Sequence, residues 1–269
     1  MVEREVFWRS RICQIGPKKW NYHGYPNTEL MGRISFGTMV YLMFKGELPE
    51  PRVGRLMDAI LISMCDFGVL APSVAAARFA ASGRPELVSG ICSGLLALGK
   101  AHGATIGEAM EVFYGGVERL RASGKAVEEV AEEIVREHRR NGRYIPGYGS
   151  PSELGADDPN PVVASRVRGL AKVGGLYGDY VRLSEAVEKA LEKVVINLDG
   201  ANGAVLCEMG FEPRVGEAIF CLSRSLGLAA EALEEFSRER PFRQVPYTEV
   251  LYDGMPERPL PPGYREGAD

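Results

Sequence analysis

NTELMGRISFGTMVYLMFKG, residues 27–46, is the stretch that decides the fold. Its apolar positions Leu30, Met31, Ile34, Phe36, Met39, Val40, Leu42 and Met43 recur at spacings of three and four, with Asn27 or Thr28 as cap and Gly46 as stop. That period marks an amphipathic helix with one face turned to a core, and it predicts a single helix from Asn27 to the glycine. The same pattern predicts helices near 50–67, 72–82, 85–99, 104–123, 126–141, 160–173, 179–195, 200–209 and 213–238. About ten helices with short connections define an all-α fold. Only Phe7 to Tyr25 reads otherwise: Trp8, Ile12, Ile15, Trp20 and Tyr22 around Gly16-Pro17-Lys18-Lys19 suit a short N-terminal hairpin or extended arm.

Val74 to Ala81 and Gly90 to Leu98 are apolar on most sides and rich in Ala, Gly and Ser, which suits the middle of the molecule or a subunit interface. From about Thr105 to Val195 the helices are more charged, as in KAVEEVAEEIVREHRR and LSEAVEKALEKV, and the Gly/Pro-rich stretch 144–161 interrupts them. The expected organisation is a large helical domain, 1–104 and 196–269, into which a smaller mobile helical domain, 105–195, is inserted. The end, Pro256 to Gly263, reads as an extended tail.

Composition narrows the function. The 269 residues are 45% apolar and 25% charged, an ordinary globular balance. A net charge of -4 offers no general attraction for nucleic acid, and the densest basic stretch is only Arg136 to Arg140. No apolar run approaches the roughly 20 residues that span a bilayer, and MVEREVFWRSR lacks the pattern of a signal peptide, so a cytoplasmic protein without a membrane partner is expected. The five cysteines, without CxxC spacing, read as reduced core residues; no disulfide frame or metal site is expected.

Five places carry residues able to do chemistry. His102, in GKAHGATIGEAM, is bracketed by Gly99 and Gly103 before a helix; it is either a hydrogen-bond donor or proton carrier in a cleft, or a histidine satisfied by backbone. Asp199, in VVINLDGANGAVLCEMGF, is either a desolvated carboxylate suited to proton abstraction or the N-cap of its helix. RYIPGYGSPSELGADDPN sets Ser150 among glycines and prolines; it matches no phosphate motif, and an ordinary surface loop is the plain alternative. Arg224 lies on an apolar helix face and needs an anion, either a substrate carboxylate or a neighbouring Glu. Arg240 and Arg243, in the tail, either stay solvated or reach a site. Gly-x-Ser-x-Gly and HExxH are absent.

Taken in order, YHGYPNTELMGRISFGTMVYLMFKGELPEP, MCDFGVLAPSVAAARFAASG, ALGKAHGATIGEAM, RYIPGYGSP, NLDGANGAVLCEMGF and SRSLGLAAEALEE resemble the citrate synthase superfamily, most nearly its short citryl-CoA lyase branch. The resemblance implies an all-helical homodimer whose small domain closes over an acyl-CoA. It assigns His102 to the thioester carbonyl, Asp199 to the proton at the α-carbon, and Arg224 to a substrate carboxylate. Arg243, or less readily Arg240, becomes the arginine lent to the partner subunit, and Ile145, Pro146, Gly147, Tyr148 and Gly149 become the coenzyme A loop. The sequence departs from the family at three places. Ser150 stands where a histidine usually acts on the keto acid, Phe67 where Asp-His is usual, and Asn160 where the family carries Arg. The implied activity is a lyase or transferase making or cleaving a C–C bond next to a coenzyme A thioester. Its implied partners are an acyl-CoA and a carboxylate-bearing small molecule less anionic than oxaloacetate, with no metal. A non-catalytic or regulatory CoA-ester-binding relative, and a thioester hydrolase, are the alternatives.

Overall fold

The structure, a computed structural model, describes residues 7–103, 105–150, 152, 154–261 and 264. The first six residues of the charged opening, Ala104 at the expected domain boundary, Pro151 of the Gly/Pro-rich loop, and Pro262 and Gly263 of the tail lie outside the described residues.

The deciding stretch folds as two helices instead of one: α1 is Asn27–Leu30 and α2 is Phe36–Lys45. Gly32 takes a left-handed conformation (φ +75°), and Ser35 accepts the N–H of Thr38 at 3.2 Å as an N-cap. A hydroxyl satisfying an otherwise unpaired helix donor makes a fresh start at Phe36 competitive with continuing the first helix. Gly46 ends α2 in the left-handed conformation, as its position predicts. Before α1 runs an antiparallel meander, β1 (Cys13–Gly16), β2 (Lys19–Tyr22) and β3 (Tyr25–Pro26), with Gly16 opposite Lys19.

After α2 come α3 (Pro51–Met64), α4 (Pro72–Ser82), α5 (Leu87–Leu96), α6 (Thr105–Ser123), α7 (Val127–Arg140), α8 (Asn160–Val173), α9 (Asp179–Leu191), α10 (Leu198–Glu208) and α11 (Pro213–Arg238). Proline opens α3, α4 and α11, where its missing N–H costs nothing. The chain leaves α9 at Leu191, four residues before the expected end, because the Val195 carbonyl accepts the N–H of Gly149 and Ile196 pairs with Tyr148. Cys207 is buried as expected, but Cys13 lies on β1, and Cys92 and Cys221 are exposed on their helices.

α10 sits at the centre, packed against α3, α6, α8, α9 and α11, with every residue from Gly200 to Cys207 buried. Gly200, Ala201, Gly203 and Ala204 let its neighbours close in on the backbone. One core runs from Met57 and Ile60 of α3 through Phe113 of α6 and Ile134 of α7 to Leu206 and Ile219. α4 and α5 pack on each other and on α11 around a separate cluster, Ala71, Val74, Ala77 and Leu228, instead of occupying the middle. Their outer side stays apolar and exposed at Phe79, Val88 and Leu96.

The closest backbone approach joins the Gly/Pro-rich loop to α10. At Gly147 (φ +88°) an added Cβ would lie 2.6 Å from the Gly200 Cα and 3.0 Å from the Ala109 Cβ. Gly147→Ala should therefore cost about 2–4 kcal/mol, through both backbone strain and overlap that neither helix can relieve. Gly32→Ala has a similarly left-handed backbone but open space around it, and should cost about 1 kcal/mol. Urea unfolding midpoints at unchanged slope measure both; equal losses would mean that the loop yields.

Candidate active site

Between α5 and α6 the chain turns tightly, with Gly99 and His102 exchanging two backbone hydrogen bonds of 2.8 Å each. Gly103 (φ +86°) presses so closely on the Phe220 ring that a Cβ would meet it at 2.5 Å. The turn delivers the His102 imidazole to the first turn of α4, where Nε2 lies 2.8 Å from the Ser73 Oγ. The Ser73 N–H, one of the unpaired donors of that helix end, points at the same nitrogen at 3.4 Å. A backbone N–H can only donate, so Nε2 accepts and the ring proton belongs on Nδ1. Burial, and then the Arg224 charge, push the imidazole pKa below its ordinary value. His102 is accordingly a neutral ring with one N–H to offer.

Arg224 is 4% exposed. It donates from Nε to the Met64 carbonyl at 3.1 Å and from Nη1 to the Ser73 Oγ at 3.3 Å, and its guanidinium centre lies 5.1 Å from the Phe220 ring. Among the described residues no carboxylate comes within ion-pair distance of it. Burial works against its charge, while Asp66 and Asp199 favour it from further away.

Asp199 stands in the first turn of α10 but does not cap it. Asn197 is the cap, its Oδ1 accepting the Gly200 N–H at 3.0 Å and its Nδ2 donating to the Gly149 carbonyl at 2.8 Å. The Asp199 carboxylate instead accepts a hydrogen bond at Oδ2 from the Thr105 hydroxyl. Desolvation pushes its pKa up to about 6, against the lowering effects of Thr105 and Arg224. His102, Ser73, Arg224, Asp199 and Thr105 thus form one neighbourhood, in which Arg224 acts electrostatically on both titratable groups.

The other singled-out residues are placed differently. The loop Ile145, Pro146, Gly147, Tyr148, Gly149 lies against the approach to α10, and Tyr148 is its anchor: buried, donating its hydroxyl to the Ser184 carbonyl at 2.9 Å. Ser150 is exposed, its Oγ accepting the Ser152 N–H at 3.2 Å. Asn160 opens α8 and uses its Oδ1 to accept the Leu198 N–H of α10 at 2.6 Å, so it braces the helix that carries Asp199. Phe67 packs on the small cluster of α4 and α11. Arg243 is held by its own chain, pairing with Glu235 at 2.7 Å, a fully buried carboxylate that also takes Arg78 at 3.0 Å. Ser73 and Thr105 were not among the residues singled out from sequence. Ser73 follows a helix-opening proline, and Thr105 opens the helix after His102; both are places where a hydroxyl meets exposed donors or a neighbouring end.

A cleft of about 300 Å³ opens beside the loop, between the ends of α7 and α9, lined among others by His138, Arg139, Arg143, Tyr144, Ile145 and Leu191. Among the described residues no helix is long and apolar enough to cross a membrane.

A neutral histidine, a desolvated carboxylate and a buried arginine at one place have the chemistry that proton transfer beside a carbonyl uses. Known proteins give the chain a family. Residues 49–244 match the family described as Citrate synthase, C-terminal domain. The citryl-CoA lyase of Hydrogenobacter thermophilus superposes with a TM-score of 0.85 at 36% identity, over 97% of this chain and 100% of that one. An ATP citrate lyase variant of Methanosaeta concilii, solved in complex with (3S)-citryl-CoA, superposes with a TM-score of 0.77 at 20% identity, over 95% of this chain and 43% of that one. The probable ATP-citrate synthase of Dictyostelium discoideum is 25% identical over 84% of this chain, which spans 38% of that protein's length. The chain belongs to the citrate synthase family, and its fold is the citrate synthase-like helical fold.

The raised Asp199 pKa has a consequence for stability. A carboxyl that ionises near 3.8 when unfolded and near 6 when folded makes folding progressively less favourable as pH rises through that window. Asp199→Asn should therefore stabilise the protein by up to about 3 kcal/mol at pH 8 but by only about 0.5 kcal/mol at pH 4. Unfolding curves at the two pH values check this, and equal effects at both would contradict a desolvated carboxylate.

Proposed function

We propose that this protein makes or breaks a C–C bond next to an acyl-CoA thioester through an enol or enolate, with His102 and Asp199 as the catalytic pair. The observation that carries the reading is their complementary protonation: a neutral ring with its proton on Nδ1, and a carboxylate that titrates close to neutrality. In cleavage of a citryl-CoA-like substrate, the β-hydroxyl gives its proton to solvent water and becomes a ketone as the C–C bond breaks, and water later returns a proton to Asp199 to complete the cycle. The released electron pair forms the thioester enolate. The His102 N–H hydrogen-bonds the enolate oxygen, and protonated Asp199 returns a proton to the α-carbon. Synthesis is the reverse, starting with ionised Asp199 taking that α-proton.

The second substrate offers a carboxylate to Arg224, whose charge has no carboxylate partner within ion-pair distance among the described residues. Asn160 is occupied with α10 and Phe67 is apolar, so the pocket suits a partner less anionic than oxaloacetate. Removal of the hydroxyl proton is the step this chain equips least, because Ser150 makes no described contact with an ionisable group. The cleft beside Ile145 suits the nucleotide end of coenzyme A, with an apolar floor and the Arg139 and Arg143 guanidinium groups for phosphates. Residues 105–195, which carry this cleft, act as the closing domain over the neighbourhood of His102 and Arg224.

Deuterium exchange at the α-carbon of acetyl-CoA in heavy water tests the reaction. His102→Ala and Asp199→Asn should each slow it by about 100-fold or more, and the wild-type rate should rise with pH through about 6 as Asp199 ionises. Failure of every short acyl-CoA to exchange would sink the reading. If such thioesters still raise the unfolding temperature, Ser150 in place of an ionisable group favours a CoA-ester-binding regulator instead. Release of free CoA without a keto acid product would single out a hydrolase.

The protein acts as a homodimer in this proposal. Leu226 and Leu233, seven residues apart on α11, are 68% and 57% exposed, and α4 and α5, which pack on α11, also leave Phe79, Val88 and Leu96 exposed. The double variant Leu226→Glu, Leu233→Glu should halve the mass measured by light scattering; an unchanged mass places the interface elsewhere.

A further inference from the structure

The hydroxyl that meets Asp199 comes from the chain's other catalytic turn. Thr105 is the first residue of α6 and lies three positions after His102, so one short segment carries both the imidazole and the hydroxyl that meets Asp199. Its Oγ1 donates to Asp199 Oδ2, and no hydrogen bond to Oδ1 is formed among the described residues. Asp199 also retains some open surface. Threonine is branched at Cβ and stiff about χ1, so a hydroxyl held by the start of a long helix makes a well-fixed donor.

We infer that Thr105 is a positioning residue for the base: its hydroxyl fixes the rotation of the Asp199 carboxylate, leaves Oδ1 as the oxygen that exchanges the proton, and favours the ionised form. This rests on the reading of Asp199 as the proton-transfer group. The surroundings leave few other groups to do the same. From α11, Arg224 favours the carboxylate electrostatically. The segment before α6 brings His102, which burial and Arg224 keep neutral. Before α8, Asp158 receives the Asn160 N–H at 2.9 Å. Glu188 of α9 receives the Ile196 N–H at 3.0 Å and pairs with Arg168. Facing α10 from α3, Ser63 is bonded to Asn202. None of the last three places a donor on Asp199, so removing the Thr105 hydroxyl removes the hydrogen bond that opposes desolvation there.

The experiment uses full-length protein labelled with ¹³C at aspartate carboxyl groups, with Asp199→Asn identifying the Asp199 signal. Thr105→Val and Thr105→Ala should raise the Asp199 titration midpoint by about one unit, the worth of a hydrogen bond to a charged group. Thr105→Ser should bring it back to the wild-type value. The acid limb of the α-hydrogen exchange profile should move by the same amount and in the same direction. Thr105→Ala adds no bulk and gives the comparison if the valine variant does not fold. A midpoint unmoved in the valine and alanine variants, or raised equally in the serine variant, overturns the role of Thr105. If the wild-type protein exchanges no thioester, the enolisation reading falls, while the carboxyl titration still decides what Thr105 does.

Discussion

The charge of Arg224 is the constraint around which the site is arranged. A guanidinium 4% exposed, met among the described residues by the Met64 carbonyl, the Ser73 hydroxyl and an aromatic face, is costly to bury without an anion nearby. Its field falls on two titratable groups with opposite chemical roles. It discourages a proton on His102 and equally discourages one on Asp199. For the histidine that leaves a neutral donor; for the aspartate it leaves a carboxylate that desolvation alone would tend to neutralise. Arg224 thus adds to burial in keeping His102 neutral, and at Asp199 it works with the Thr105 hydroxyl against the desolvation that raises the carboxyl pKa.

Holding these groups in place falls to α10 and the strands of chain that grip its first turn. Asn160 from α8 takes the Leu198 N–H, Asn197 takes the Gly200 N–H and ties it to Gly149, and Gly147 crosses the backbone of Gly200 with no room for a side chain. Behind them, Glu188 accepts the Ile196 N–H while paired with Arg168, two residues that are largely enclosed. The donors at the start of a helix are normally free to meet an anion. Here Leu198 and Gly200 spend theirs on asparagine side chains, which pins the backbone under Asp199 and leaves its carboxylate to work on something else.

The helices were legible because each buries a face, and burial writes a period into the sequence. What the period could not show is where a helix restarts or stops for local reasons. Ser35 as an N-cap, with left-handed Gly32 before it, divides an apolar run whose spacing is continuous, and the pairing of residues 195–196 with 148–149 shortens α9. His102, Asp199 and Arg224 could be singled out as isolated oddities, a ring between glycines and two charges in apolar surroundings. Ser73 and Thr105 could not, since a hydroxyl at a helix start is ordinary, and only the packing of α4 and α6 against their neighbours shows what each one touches. Asn160 illustrates the converse: its position resembles a substrate-binding one, but a short amide lies within reach of the Leu198 N–H and bonds there.

In the proposed reaction, an anionic substrate would change the electrostatics around Arg224. A carboxylate seated on Arg224 would screen the guanidinium from both neighbours, easing the penalty on a protonated Asp199 and on a protonated His102. For Asp199, already near 6, a further upward shift places much of the population in the acid form at neutral pH. That is the form needed to deliver a proton to an enolate at the end of a cleavage, and the wrong one for starting a condensation. His102 starts from a lowered pKa and remains neutral after the same relaxation more readily than an unperturbed imidazole. In the proposed reaction, a substrate whose carboxylate reaches Arg224 would therefore meet more of Asp199 in the protonated form that cleavage uses, while a thioester bound without that carboxylate would meet an Asp199 that ionises more readily.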